Sequence, residues 1–231
     1  MDFVEFVLAG ATGDLGDEAA ARGHADALEF RMDIADDPRS VLGNYRGQLE
    51  LIATNRAEEE GGEAPEAPER LATLEVAADH PLVGAIDVEL ATVERGEADD
   101  LIAYARERGT AVVVSTHDFE GTPEAETMIA LLERACEYGD VGKLAVTATD
   151  PTDVLSLLSV TARATAEGRT VATMAMGEAG RHSRAVAPIY GSRIGYAPVR
   201  PGAATAPGQY DLATLSDLVE RLAPRRNPTK G

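Results

Sequence analysis

The chain of 231 residues has one cysteine, no tryptophan and no apolar run long enough to span a membrane. A single cysteine, Cys136, can form neither an intrachain disulfide nor a cysteine-based metal cluster. The four histidines are scattered, and no pair has the spacing of metal ligands on a helix face. No basic segment precedes the first strand-like run, as a secretory signal would require. These absences predict a soluble, cytoplasmic protein without a metal.

Basic residues are also few, with 21 against 40 acidic ones and a net charge of -19. This charge repels phosphate backbones and anionic lipids, which argues against binding to nucleic acid or to a membrane surface. At molar salt the screening length falls to roughly 3 Å, so repulsion between surface carboxylates would matter little. The composition therefore favours a halophilic protein over an ordinary acidic one.

Lysine is the scarcest basic residue, since only Lys143 and Lys230 occur. Lys230 belongs to a polar terminal segment, whereas Lys143 opens the apolar run 143–147. Burial of an unpaired ammonium is costly, and a lysine adapts by losing its proton, which makes it a nucleophile. Lys143 is therefore either a Schiff-base lysine or a structural lysine with a buried stem.

Short apolar runs alternate with helical patterns along the whole chain. Several helices have clear starts, such as Asp37-Pro38 and Asp150-Pro151, where a capping side chain precedes a proline-led first turn. Eight such units predict one α/β domain over residues 1–231, a (β/α)8 TIM barrel, with a doubly wound open sheet as the alternative. The predicted strands are 3–9, 27–32, 49–54, 82–88, 111–116, 143–147, 170–176 and 195–197.

The glycines at positions 10, 13 and 16 follow the first predicted strand, as in a dinucleotide-binding turn. Glu29 even lies near the distance expected of a ribose ligand. Dehydrogenases with this pattern often use a Tyr-x-x-x-Lys pair, but Gly139 and Arg226 stand four residues before the two lysines. The sequence therefore favours a glycine-rich turn after the first barrel strand.

Polar residues collect just after the predicted strands, where barrel enzymes carry their active sites. Alternation places Glu29, Arg31 and Asp33 on one face of the second strand. Each residue has a structural alternative: Glu29 and Arg31 could form an ion pair, and His117 could cap a helix. Together they favour a site, because inward-pointing charges need one another or a polar ligand. The other such residues are Arg56, Glu60, Asp87, Glu89, His117, Arg184 and Gln209.

The acidic stretch 58–69 contains Gly61 and Gly62 and follows the third strand. Its composition could indicate a disordered linker between domains. Loops after barrel strands build active sites, so we interpret this stretch as a mobile loop over a site.

Asp87 and Glu89 are expected to pair with Lys143 or with arginines.

These residues resemble the type I 3-dehydroquinate dehydratase family, and the matching strings run in the family's order from residue 29 to 209. The first unit matches least: relatives often have a serine where Ala9 or Thr12 stands, and Thr205 replaces another common serine. The strings are Glu29-Phe-Arg31-Met-Asp33, Thr54-Asn-Arg56 with Glu60-Gly-Gly, Ile86-Asp-Val-Glu89-Leu, Ser115-Thr-His117-Asp-Phe, Gly142-Lys143-Leu-Ala-Val, Met176-Gly-x-x-Gly-x-x-Ser183-Arg184, Gly191-Ser192 and Ala206-Pro-Gly-Gln209.

The resemblance implies dehydration of 3-dehydroquinate to 3-dehydroshikimate through an imine, without a cofactor. Lys143 would form the imine, His117 would move the protons and Glu60 would orient or charge His117. Arg184 would bind the substrate carboxylate. The resemblance assigns the substrate hydroxyls and the loop to Glu29, Arg31, Arg56, Thr205 and Gln209.

Two other functions remain open at this stage. A class I aldolase or transaldolase-like barrel would share Lys143 but would need no carboxylate clamp. A binding protein for a small carboxylate would use Arg184, with Lys143 merely packing. The sequence also leaves open whether the protein is a monomer or a homodimer.

Overall fold

The structure is a computed structural model that describes residues 1–64, 68–200, 202 and 206–223. Parallel strands alternate with helices, and each strand from β1 to β6 pairs with the next along the chain, while β1 also pairs with β8. The (β/α)8 barrel predicted from the sequence is confirmed. The strands are β1 (Val7–Thr12), β2 (Ala27–Arg31), β3 (Glu50–Thr54), β4 (Val83–Glu89), β5 (Ala111–His117), β6 (Val141–Thr147), β7 (Val171–Met176) and β8 (Ile194–Pro198).

Helices of very different length connect these strands. Asp37, Asp150 and Asp211 cap helices by accepting bonds from backbone N–H groups of the first turn, and the sequence predicted the first two of these caps. The α-helices are α1 (Glu18–Ala21), α2 (Pro38–Gly43), α3 (Glu69–Ala78), α4 (Leu90–Glu94), α5 (Asp99–Glu107), α6 (Ala125–Tyr138), α7 (Pro151–Ala166), α8 (Gly177–Gly180), α9 (Ser183–Val186) and α10 (Leu212–Leu222), and short 3-10 turns occupy Leu15–Asp17, Met32–Ile34, Glu58–Glu60 and Ala187–Tyr190.

The first strand is the one whose predicted bounds are most in error. It begins at Val7 and not at residue 3, because Phe3 lies within the barrel's apolar interior, at φ 48°, instead of extending the strand. Gly10 lies inside β1 and not in a turn after it. A Cβ at Gly10 would stand 2.9 Å from Val199 Cγ2 and 3.3 Å from Leu212 Cδ2, so the glycine allows the chain after β8 and α10 to pack closely.

Side chains that face the barrel interior are apolar near the start of the strands and polar near their ends. On β4 and β5 the inner positions begin with Ala85 and Val113, which belong to an apolar cluster inside the barrel. Two residues further along, the same faces carry Asp87 and Ser115. Since parallel strands all point the same way, the amino-terminal end of the barrel is an apolar plug and the carboxyl-terminal end is polar.

Lys143 occupies a central position in β6, because the strand begins at Val141 and not at the lysine as predicted. Its backbone lies between Ser115 of β5 and Ala172 of β7. The lysine side chain therefore starts in the middle of the barrel and rises toward the polar end. The two added residues explain how a lysine at the start of an apolar run reaches the site.

Two serines complete the hydrogen bonding of β7 on the side that faces β8. At this junction the described backbone forms one isolated β-bridge, between Val171 of β7 and Ser192, which precedes β8. Further along β7, the backbone N–H of Thr173 donates to Ser192 Oγ at 2.9 Å, and that of Ala175 donates to Ser183 Oγ at 2.8 Å. Both hydroxyls are buried and replace the strand partner that β7 lacks at these positions.

We expect Ser192→Ala to lower the free energy of unfolding by about 1–3 kcal/mol, because the buried Thr173 N–H would lose its acceptor. Urea denaturation at fixed high salt measures this change. Ser159→Ala on the exposed face of α7 is the matched control and should change stability by less than about 0.5 kcal/mol. Equal stabilities of the two variants would contradict this account of the junction.

Candidate active site

A pocket opens at the carboxyl-terminal ends of the strands. It brings together all the predicted site residues that the structure describes. Thr205, the remaining predicted residue, lies outside the described residues. The lining side chains are Glu29, Arg31, Arg56, Glu60, Gly61, His117, Phe119, Lys143, Ala145, Met174, Met176, Arg184, Tyr196, Ala206 and Gln209.

The amine of Lys143 is buried at the floor of this pocket, with 4% of the residue exposed. Its Nζ donates to Asp87 Oδ2 at 2.9 Å and lies 4.5 Å from the centre of the Tyr196 ring. Asp87 Oδ1 accepts bonds from Arg56 Nη2 at 2.7 Å and from Ser115 Oγ at 2.6 Å. Burial alone would raise the pKa of Asp87, but Arg56 and Lys143 hold it well below its usual value. Asp87 is therefore a carboxylate that fixes the position of the amine.

Lys143 is the end of a buried chain of alternating charges. Arg70 contacts Glu89 at 2.5 Å, Glu89 contacts Arg56 at 3.0 Å, and Arg56 reaches Asp87 and thereby the lysine. Each buried charge has an opposite neighbour, which offsets the cost of removing it from water. The expected pairing of Asp87 and Glu89 with Lys143 and arginine is therefore present. Arg70, on the outer helix α3, completes the chain and was not identified from the sequence.

Arg56 stays charged in this setting. Burial acts to lower the pKa of its guanidinium, but Asp87 and Glu89 outweigh burial and raise it. The chain holds three cations and two anions, so it carries one positive charge in excess.

His117 and Glu60 form a second polar pair above the lysine. His117 ends β5, Glu60 lies in the 3-10 turn after β3, and the distance from Nδ1 to Oε2 is 2.7 Å. Burial, together with the nearby Arg56 and Lys143, holds the pKa of His117 well below 6.5. Burial raises the pKa of Glu60 to about 7, although Arg56 opposes that shift. The imidazole is therefore neutral near pH 7 and can accept a proton.

The loop that carries Glu60 is tightly packed. Gly61 has a φ of +77°, and a Cβ there would stand 2.6 Å from the ring of Phe119, which itself stacks on His117. A Cβ at Gly62 would lie 2.0 Å from the carbonyl oxygen of Arg56. Only glycines allow this loop to lie directly over the pocket.

Arg184 enters the pocket from α9 as a buried guanidinium. Its Nη2 makes a long bond of 3.4 Å to the carbonyl of Pro207, and its Nε has no partner. Burial lowers the pKa of Arg184 to about 10, and no carboxylate of the described residues forms an ion pair with it. A guanidinium in such surroundings is suited to bind a carboxylate with two parallel hydrogen bonds.

Glu29 and Arg31 line the pocket but are not the ion pair that was considered as an alternative. Arg31 binds both oxygens of Asp33, at 2.9 and 2.6 Å, and Glu29 Oε1 accepts a bond from Thr54 at 3.0 Å. Gln209 Oε1 accepts a bond from the backbone of Ala206 at 3.3 Å.

Ala9 and Thr12 stand where relatives often have a serine, and neither of them lines the pocket. Ala9 is buried in the barrel interior, and Thr12 Oγ1 donates to Asp17 at 2.8 Å. The sequence did not identify the apolar lining or Tyr196. Aromatic and methionine side chains in strands carry no signal that separates a pocket wall from a packed core.

The described part of the chain has neither a cluster of metal ligands nor a membrane-spanning helix. These residues hold no group of three or more His, Cys, Asp or Glu side chains arranged for a metal ion. Within the same ranges, none of the helices is long and apolar enough to cross a membrane.

Comparison with known proteins gives consistent matches over nearly the whole chain. The type I 3-dehydroquinase family matches residues 12–223. The 3-dehydroquinate dehydratases of Haloarcula marismortui and Halobacterium salinarum are 58% and 51% identical to the chain, each over 96% of it and over 98% and 100% of their own length.

Solved structures agree. A 3-dehydroquinate dehydratase from Geobacillus kaustophilus has a TM-score of 0.84 and 29% identity, covering 97% of this chain and 93% of its own. A type I 3-dehydroquinate dehydratase from Clostridium difficile, solved with covalently modified comenic acid, has a TM-score of 0.83 and 26% identity, with coverage of 94% and 92%. The chain belongs to the type I 3-dehydroquinase family.

Proposed function

We propose that the chain dehydrates 3-dehydroquinate to 3-dehydroshikimate in the shikimate pathway, with Lys143 as the amine that forms the imine. Members of the type I 3-dehydroquinase family are hydro-lyases that need no cofactor and form a covalent imine with a lysine. Lys143 is the one lysine among the described residues, because Lys230 lies outside them. The observation that carries the assignment is the buried Lys143 amine facing the same pocket as His117 and Arg184.

The first step joins the substrate to the protein. The ammonium of Lys143 passes one proton to His117, and the resulting amine attacks the C3 ketone. A second proton moves from the nitrogen to the former ketone oxygen, His117 returns the first proton to that oxygen, and loss of water leaves an iminium ion. The iminium withdraws electrons from the neighbouring carbon and so makes the C2 proton more acidic. Asp87, which holds Nζ at 2.9 Å, keeps the nitrogen in place for this attack.

Elimination then depends on His117. The imidazole takes the C2 proton, and the electrons of that bond form an enamine. When the enamine returns to the iminium, the C1–oxygen bond breaks, and His117 protonates the departing hydroxyl to give water. Glu60, bonded to Nδ1, leaves Nε2 free to accept the proton. Hydrolysis of the iminium by water releases the product and restores Lys143.

The remaining residues hold the substrate in place. Arg184 binds the substrate carboxylate, since it is buried and no carboxylate of the described residues pairs with it. Glu29, Arg31 and Arg56 line the wall at which the ring hydroxyls would lie. Gln209 and Thr205 belong to the segment after β8, and we assign both to substrate binding.

We further propose that one catalytic domain spans residues 1–231 and works in the cytoplasm on this small molecule alone. A net charge of -19 supports a protein that binds neither nucleic acid nor a membrane surface. The excess of acidic residues also matches the halophilic sources of its relatives.

Borohydride trapping tests the assignment of Lys143. Reduction in the presence of 3-dehydroquinate should leave a stable adduct on the peptide that contains Lys143, detected by mass spectrometry. Lys143→Ala should give no adduct and no enone product by ultraviolet absorbance, whereas His117→Ala should still trap slowly while elimination stalls.

Three outcomes would contradict this scheme. Trapping only with sugar phosphates would indicate an aldolase, and no trapping with any substrate would indicate a binding protein. Near-normal turnover of His117→Ala would exclude the imidazole as the proton carrier.

The pH profile of kcat/KM tests the role of Glu60. As pH falls through about 7, Glu60 should become protonated, and its O–H should then donate a hydrogen bond to Nδ1 of His117. The proton of the neutral ring then lies on Nε2, so Nε2 can no longer act as the base. The wild-type acid limb should therefore have its midpoint near pH 7. The Glu60→Gln variant has no carboxyl to titrate at this position and should be less active. The acid limb of its kcat/KM profile should lie below pH 6.5, where His117 itself is protonated. An identical limb in both proteins would contradict the assignment.

The carboxylate clamp is tested by Arg184→Lys, which keeps the charge but loses the two parallel hydrogen bonds. We expect KM for 3-dehydroquinate to rise about 10- to 100-fold, the range expected for a charged hydrogen bond of about 1.5–3 kcal/mol. Arg163→Lys on the exposed face of α7 is the control and should leave KM unchanged. An unaltered KM in Arg184→Lys would exclude the clamp.

A further inference from the structure

Tyr196 is a buried tyrosine whose hydroxyl has no hydrogen-bond partner in the described part of the chain. It lies in the middle of β8, opposite Ala9 of β1, and belongs to the apolar cluster inside the barrel. Only 3% of the residue is exposed. A buried hydroxyl without a partner costs about 1–3 kcal/mol, so a phenylalanine would suit a purely structural position better.

The position of the ring connects this hydroxyl with the chemistry. Tyr196 lines the active-site pocket, and its ring centre lies 4.5 Å from Lys143 Nζ. Asp87 does not take up the hydroxyl, because its two oxygens already accept bonds from Arg56, Ser115 and Lys143. The tyrosine therefore places its ring beside the nitrogen that carries the imine, and its hydroxyl is left without a protein partner among the described residues.

The hydroxyl is also in the right chemical state to bind a neutral partner. Burial, with the carboxylates of Glu29 and Asp87 nearby, raises the pKa of Tyr196 well above 10. The phenol thus keeps its proton and can both donate and accept a hydrogen bond. An alcohol group has the same two capacities, whereas the apolar side chains Met174 and Met176 that line the same pocket have no strong donor.

We propose that Tyr196 is a substrate-binding residue whose hydroxyl forms a hydrogen bond with a ring hydroxyl of the substrate attached to Lys143. The proposal rests on the proposed function above. It assigns to β8 a recognition group for cyclic keto acids that carry hydroxyls close to the ketone. Analogues without such hydroxyls would leave the phenol unpaired and would therefore bind less well.

The test removes only the oxygen. In Tyr196→Phe the ring and its contact with Lys143 remain, so we expect KM for 3-dehydroquinate to rise about tenfold with kcat within about twofold of wild type. Borohydride should still trap an adduct on Lys143. The thermal midpoint should equal or exceed that of wild type, because a hydroxyl without a protein partner has been removed.

Tyr45→Phe is the matched control. Tyr45 is also buried, but its hydroxyl donates to the carbonyl oxygen of Leu49 at 2.9 Å, and it does not line the active-site pocket. This variant should have a lower thermal midpoint and an unchanged KM. Loss of a substrate-binding hydroxyl should raise KM without lowering the thermal midpoint, whereas loss of a structural hydroxyl should lower the midpoint without changing KM.

Two results would overturn the proposal. An unchanged KM in Tyr196→Phe would show that the hydroxyl does not contact substrate. A lower thermal midpoint, as in the control, would show that the hydroxyl has a structural partner. If wild type itself neither turned over nor trapped 3-dehydroquinate, the proposed function would fail first and this proposal with it.

Discussion

The ion pair between Lys143 and Asp87 is the contact on which the arrangement of the polar end of this barrel depends. A lysine in the middle of a buried strand needs a fixed partner, and Asp87 provides one at 2.9 Å. Asp87 in turn depends on Arg56, which depends on Glu89 and thereby on Arg70. Removal of one member would leave its neighbour as an uncompensated buried charge, which costs about 3–5 kcal/mol. The floor of the pocket is therefore held by several elements at once.

Buried cations lie beneath the pocket of a protein that is acidic as a whole. The whole chain carries a net charge of -19, yet the chain of charges beneath the pocket has one positive charge in excess, and Arg184 adds another. Salt screens the surface carboxylates, whereas buried groups are screened much less. The buried cations therefore keep their local effect at salt concentrations that weaken the effect of the surface.

The sequence was sufficient for the order of the elements. Short apolar runs between helical patterns predicted the barrel strands, and polar residues after the strands predicted His117 and Arg184 as neighbours, which they are. Lys143 was identified because lysine is scarce and this one opens an apolar run. The resemblance to a family supplied their roles. The errors came from residues whose neighbours are distant in sequence. Phe3 packs inside the barrel instead of extending β1, and Gly10 lies in a strand because α10 and the chain after β8 need the space.

Other features could not be predicted from the sequence because they depend on tertiary contacts. Arg70 looks like an ordinary helix residue until α3 packs against β4 and brings it to Glu89. Tyr196 reads as a strand residue, and only the structure shows that its hydroxyl lacks a partner. The pairing of Glu29 with Thr54, instead of with Arg31, likewise depends on the register of β2 with β3.

A crystal structure of the borohydride-reduced complex with 3-dehydroquinate would test the central claim most directly. We predict continuous electron density from Lys143 Nζ to the former ketone carbon, with the ligand carboxylate on Arg184 and a ring carbon within reach of His117. A ligand that lies unattached in the pocket, or one attached to a different residue, would contradict the account.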